Sequence, residues 1–228
     1  MTRGLELAAK THAALEATGA RVVLIARAGQ DLRKFGLRYS HMGYAFKREP
    51  DGPWRVVHEL NHCNSDTSAL FRQGLGEFFL DDPWRYETAW VVPTAAVQAQ
   101  LLALLSDDRR STALHEPRYN VVAYPWSGKY QQSNQWTIET LAAAMEPGVA
   151  SRERAQAWLR SKGYEPTTLR LGPLTRLGAR ISAANVAFDD HPNEKRFSDR
   201  IETATVDSIF AWMARSGMAG APQRLALP

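Results

Sequence analysis

The chain has 228 residues, 44% hydrophobic and 23% charged, which is ordinary for a soluble globular protein and enough for one good core. Its 28 basic residues nearly balance 24 acidic ones, leaving +4, and Lys195-Arg196 and Arg109-Arg110 are only pairs, so no basic block marks a nucleic-acid surface. The one cysteine, Cys63, excludes an internal disulfide and a cysteine-rich zinc site, and no apolar run approaches the roughly 18 residues of a membrane span.

In chain order, residues 4–18 predict a helix with Leu5, Ala8, Ala9, His12 and Leu15 on one face and Gly19 at its end. It follows Met1-Thr2-Arg3 directly, with no apolar signal segment. Arg21 to Ala26 (RVVLIA) is a short β-branched run, read as a buried strand. Tyr39 to Arg48 and Trp54 to Leu60 read as two strands joined by the turn Pro50-Asp51-Gly52-Pro53. Thr67 to Gly74 looks like a short helix and Asp81-Asp82-Pro83 like a turn. Ala89 to Val92 is a strand closed by Pro93, and Thr94 caps a helix with Val97, Leu101, Leu104 and Leu105 on one face.

Residues 115–132 read as an aromatic loop. Asn134 to Met145 is a helix with Trp136, Ile138, Leu141 and Ala142 turned inward. Ser151 to Ser161 is a further helix, residues 167–188 look strand-like, Asp189-Asp190-His191-Pro192 is a turn, and Val206 to Ala214 is a final helix. This order predicts an α+β fold, an antiparallel sheet packed with helices. Residues 1–150 form the core unit and residues 151–228 a C-terminal α/β extension packed on it.

Two short stretches carry the chemistry. Tyr39-Ser40-His41-Met42-Gly43-Tyr44 places a histidine inside a strand, and Tyr130-Gln131-Gln132-Ser133-Asn134-Gln135-Trp136 is a polar turn that opens a helix. A strand histidine is usually structural, but beside a nucleophile at a helix N-terminus, where the positive end of the helix favours an anion, it has the chemistry of a general base. Ser133 is also a good N-cap with no chemistry attached. Glu59, in Val56-Val57-His58-Glu59-Leu60, is either the group that orients His41 or an exposed strand carboxylate. Tyr39, Tyr124, Trp126, Tyr130 and Asn134 are candidate substrate contacts; for the loop aromatics the alternative is a cover over the core.

Cys63 is a rival nucleophile. The string His58-Glu59-Leu60-Asn61-His62 has the letters of a zinc-hydrolase motif, but that motif works only on a helix, and these flanks are those of a strand and a turn. The expectation is therefore no metal and no cofactor.

With its N-terminal strand, its His-x-Gly strand and a hairpin strand ending near a carboxylate, the chain resembles the circularly permuted branch of the NlpC-type papain-like superfamily. That branch includes bacterial cell-wall peptidases and lecithin:retinol acyltransferase-like enzymes. The resemblance covers about residues 20–145 and puts Ser133 where those enzymes carry cysteine, His41 at their histidine and Glu59 at its orienting residue. It implies a hydrolase or acyltransferase acting on an amide or ester, with a peptide, glycan or lipid acyl substrate and a periplasmic setting; without it the chain reads as cytoplasmic. A catalytically inactive relative that binds peptide or glycan is the alternative. The strings GQDL, YSHMGYAF, HELNHC, NQW and FDDHP also resemble a proteobacterial family of unknown function.

Overall fold

The structure, a computed structural model, describes residues 1–81 and 83–228, with the side chains of residues 181 and 182 left aside; the expected turn at Asp81-Asp82-Pro83 lies outside the described residues. The fold is α+β. Six strands form an antiparallel sheet in the order β4-β3-β2-β1-β5-β8. They are β1 (Val22–Arg27), β2 (His41–Phe46), β3 (Arg55–Asn61), β4 (Ser68–Gly74), β5 (Glu87–Val91) and β8 (Gln223–Ala226). A second sheet pairs β6 (Thr167–Arg170) with β7 (Arg200–Thr203).

Strand β1 lies between β2 and β5 and is buried along its whole length, which is why its sequence is a continuous apolar run rather than an alternating one. Its side chains feed two cores. Val22, Leu24 and Ala26 join Met42, Tyr44 and Phe46 of β2 against α3 (Ala95–Leu105), α5 (Ser133–Met145), α6 (Arg152–Ser161) and α9 (Val206–Arg215). Val23 and Ile25 join Ala45 and Val56 against α1 (Thr2–Ala17) and α2 (Leu75–Leu80). The sheet is thus the middle of three layers. On α1 the buried positions are Leu7, Ala8, Thr11 and Leu15, while Leu5 is exposed. The inward face is therefore rotated from the expected one.

Two expectations are corrected. Thr67 to Gly74 is not a helix: β4 pairs with β3 from Arg55↔Gly74 to Asn61↔Ser68. The turn between them carries Asn64 at φ 55, a left-handed conformation that asparagine tolerates. Pairing along a whole neighbouring strand outweighs the weak helix propensity of Ser-Ala-Leu-Phe-Arg-Gln. Residues 167–188 are not one strand-like run either. Strand β6 ends at Arg170, and α7 (Pro173–Ser182) starts with proline at its first position, where its missing N–H costs nothing.

The segment leading into α5 is held from beneath by one buried carboxylate. Glu139 accepts from Arg152 Nε at 2.8 Å and Nη2 at 3.2 Å, and from the side-chain amides of Gln131 (2.7 Å), Gln135 (3.1 Å) and Gln156 (2.8 Å). Arg152 also donates to the carbonyls of Ser127, Gly128 and Tyr130. Gln131 donates to Leu114 O and accepts from Glu116 N. Removing one partner of such a pair strands a buried charge. Arg152→Ala is expected to cost about 3–5 kcal/mol in urea unfolding, and a loss below about 1 kcal/mol, the scale of an exposed pair, would contradict this role.

Candidate functional site

On β2 the side chains alternate, so His41, Gly43 and Ala45 face α1 and α2 while Met42, Tyr44 and Phe46 face α5. On β3, Val57 pairs with Tyr44 and Val56 with Ala45. His58 therefore shares the face of His41, and Glu59 takes the other. A side chain at position 43 has no room: a Cβ there would stand 2.5 Å from Val57 O and 2.7 Å from His58 Cβ. Gly43 is what lets the His58 side chain lie across β2 and reach His41.

The two imidazoles meet with His41 Nε2 and His58 Nδ1 2.7 Å apart, and His58 Nε2 stands 2.9 Å from Gln73 Oε1 on β4. The amide oxygen of Gln73 accepts, so His58 Nε2 carries its proton and His58 Nδ1 accepts from His41 Nε2–H. This chain of donors leaves the lone pair of His41 on Nδ1. Burial, then the positive charge of Arg27 and the neighbouring His58, hold His41 well below the ordinary histidine value of 6.5. Burial likewise brings His58 down to about 4, against the opposing effect of the hydrogen bond that it donates to Gln73. Both rings are neutral at pH 7. Phe78 of α2 packs on both, with ring centroids at 6.0 and 5.2 Å.

His41 lines a chamber of about 230 Å³ with Arg27, Asn61, Asp81 and Tyr119. Gln30, Ser40, Tyr119 and Val121 are shared with a second chamber of about 170 Å³, whose remaining wall includes Leu32, Phe35, Leu37 and Leu169. Together they form one cleft, polar at the histidine end and apolar at the other. Tyr39 and Asn134 line the apolar chamber. Tyr124, Trp126 and Tyr130 line neither chamber. Tyr124 stacks near His191, Trp126 sits between Tyr164 and Arg160, and Tyr130 lies under Lys129. A larger hollow of about 810 Å³ beside Arg170, Lys195 and Glu202 contains none of the histidines.

Ser133 is the first residue of α5, and the cap is Gln132, whose side chain accepts from Asn134 N at 3.0 Å. Helix α5 packs under the opposite face of the sheet from His41, through Trp136 against Tyr44. Ser133 is 1% exposed. Its side chain and backbone N–H both favour ionisation of the nearby Tyr119 phenol, against the effect of burial. It also neighbours the cleft through Asn134, whose Nδ2 lies 3.5 Å from Ser40 O. Burial, and next the Glu59 carboxyl, push the Tyr119 phenol above its usual value, so it stays protonated.

Glu59 does not orient His41. Its fully buried carboxyl is on the α5 side, where Oε1 accepts from Ser68 Oγ at 2.6 Å and Oε2 has no partner among the described residues. A one-residue parity in β3 decides this: the motif Val-Val-His-Glu offers two polar neighbours, and pairing selects His58. The zinc string lacks the one-face layout of its helical motif, because His58 and Glu59 leave β3 on opposite sides. Among the described residues, no three His, Cys, Asp or Glu side chains converge on a metal position. Cys63 is exposed in the β3–β4 turn, and lines neither chamber.

Burial raises Glu59 from 4.5 to about 8, so at pH 7 it carries a proton that the unfolded chain does not. Its contribution to stability is complete below 4.5 and is lost as pH rises through 8. Glu59→Gln should therefore gain on the parent as pH increases from 5 to 8, by up to about 1.4 kcal/mol per pH unit in urea unfolding. A difference that does not change with pH would show that Glu59 is ionised in the fold.

Among the described residues no helix is long and apolar enough to cross a membrane. No curated protein and no solved structure matches the chain. A family model does match, over residues 14–213. The chain therefore belongs to the family described as an uncharacterized protein conserved in bacteria (DUF2145).

Proposed function

We propose that the protein is a hydrolase of amide or ester bonds in which His41 is the general base. The observation that carries this reading is the His41–His58–Gln73 chain. It fixes a neutral imidazole on the wall of a cleft, with its proton on Nε2 and its lone pair on Nδ1. A base must have the right tautomer before the substrate arrives, and an orienting partner on the far nitrogen supplies it. The resemblance to permuted papain-like enzymes supports the same assignment for His41, with His58 rather than Glu59 as the orienting residue.

The reading the geometry supports best uses water. A water in the polar chamber gives a proton to His41 Nδ1 as its oxygen adds to the carbonyl carbon. His41 then returns the proton to the leaving nitrogen or oxygen as that bond breaks, leaving a carboxylic acid and an amine or alcohol. A second reading makes Ser133 the nucleophile, forming an acyl-enzyme that water or another acceptor resolves. It is favoured by the place of Ser133 at the start of α5, where helix N–H groups stabilise an oxyanion. It requires Tyr119 to move off the hydroxyl.

Turnover of a panel of p-nitrophenyl esters and N-acetyl amino-acid amides tests the proposal. His41→Ala should lower kcat/KM by about 10²–10⁴-fold, and equal rates in parent and variant would end it. Ser133→Ala leaves the rate intact if water is the nucleophile and abolishes it if Ser133 is. A chain that binds members of the panel but turns over none is a binding protein.

The pH profile carries the sign of the histidine shift. Because His41 is held below 6.5, its base form persists in mild acid, so the acid limb of kcat/KM should fall below pH 6.5. A limb at or above 6.5 would mean that the titrating base is not this buried ring.

A further inference from the structure

Arg27 is the cross-strand partner of His41 on β1, so the two side chains leave the sheet side by side on one face. The guanidinium is buried and lines the polar chamber. Nη1 donates to the carbonyls of Phe78 (2.8 Å) and Asp81, and Nη2 to the Asp81 carboxylate. Nε has no partner among the described residues, although it is buried. A buried donor on a permanent cation is costly to leave unpaired. The Nε and Nη2 edge of a guanidinium is also the edge that accepts a carboxylate in two parallel hydrogen bonds.

We propose that Arg27 binds a carboxylate of the substrate, and that the substrate is an amide whose amine half is an amino acid with a free carboxylate and an apolar side chain. A peptide C-terminus and an N-acyl amino acid share this chemistry. The inference rests on the hydrolase reading for the word amide, but the anion site stands on Arg27 itself. The Cβ atoms of opposed residues on paired strands are about 5 Å apart, and neighbouring Cα atoms in a peptide about 3.8 Å. With both side chains leaving one face, a carboxylate on Arg27 leaves the amide one residue away to meet His41. The side chain on the intervening carbon then has the second chamber to enter, whose Leu32, Phe35, Leu37 and Leu169 suit an aliphatic group. Asp81 shares Nη2, so the incoming anion displaces or joins it; the Asp81 side chain is 46% exposed.

Calorimetric titration of the full chain with 4-methylpentanoate and with 4-methylpentan-1-ol separates anion recognition from apolar burial, and neither probe is hydrolysed. The acid should bind at least ten-fold more tightly than the alcohol at pH 7. Arg27→Lys keeps the charge but loses the two-donor edge, and should bring the two within about two-fold. Equal affinities in the parent, or no binding of the acid at 10 mM, would overturn the proposal whether or not the variant folds. Release of leucine from N-acetylleucine is measured separately. Tight binding of the acid with no release retains the Arg27 site and removes the hydrolase reading. Ester turnover with no preference for the acid does the reverse.

Discussion

The ion pair between Glu139 and Arg152 is the interaction on which the cleft depends. A buried carboxylate is tolerable only when its lone pairs are taken up, and here Arg152 and three glutamine amides take them up. Arg152 then spends its remaining N–H groups on the carbonyls at Ser127, Gly128 and Tyr130, while Gln131 secures Leu114 and Glu116. The residues from 114 to 131 have little secondary structure of their own, yet Tyr119 and Val121 in this stretch form a wall shared by both chambers. The hub fixes the Gln131 end of that wall, and backbone bonds from Tyr119 N to Asp66 O and from Val121 N to Asn185 O fix the rest.

The sheet divides two kinds of buried polarity. On the α5 side, Glu139 and Arg152 are satisfied by one another, by glutamine amides and by backbone carbonyls, an arrangement that organises chain, while among the described residues Glu59 is hydrogen-bonded by Ser68 alone. On the α2 side, His41, His58, Gln73 and Arg27 sit at the end of the sheet and two of them open on the cleft. The histidine pair is neutral, and the nearby guanidinium is one reason. The guanidinium that adds to burial in keeping His41 unprotonated belongs to a residue that also lines the cleft. Tyr119 is the contact between the two sides, because it faces the cleft and covers Ser133 at once.

Much of the fold is legible in the residues. The run Val-Val-Leu-Ile-Ala of β1, the Pro-Asp-Gly-Pro turn after β2, Thr94 before α3 and the inward Trp136, Ile138 and Leu141 of α5 are local signals that the structure repeats. Strand β4 was not legible, since its sequence suits a helix and only the waiting edge of β3 makes it a strand. Nor was β8, whose Gln-Arg-Leu-Ala pairs with β5 from far along the chain. Of the residues lining the cleft, His41, Tyr39 and Asn134 were among those singled out from the sequence. His58 was within reach: it is the polar residue two positions after Val56, on the face that Ala45 and His41 share.

Residue order alone is enough for the fold class and for a histidine on a strand two positions before a glycine. Periodicity and turn chemistry act over a few residues, and those ranges suffice for that. Tertiary structure decided which groups meet. Alternation along β3 exchanges Glu59 for His58, the register of β1 on β2 sets Arg27 beside His41, and the docking of α5 under the sheet puts Ser133 behind Tyr119. Each is a matter of which face a side chain takes, and in a sheet a face is fixed by pairing with a partner strand, a relation that no single stretch of chain contains.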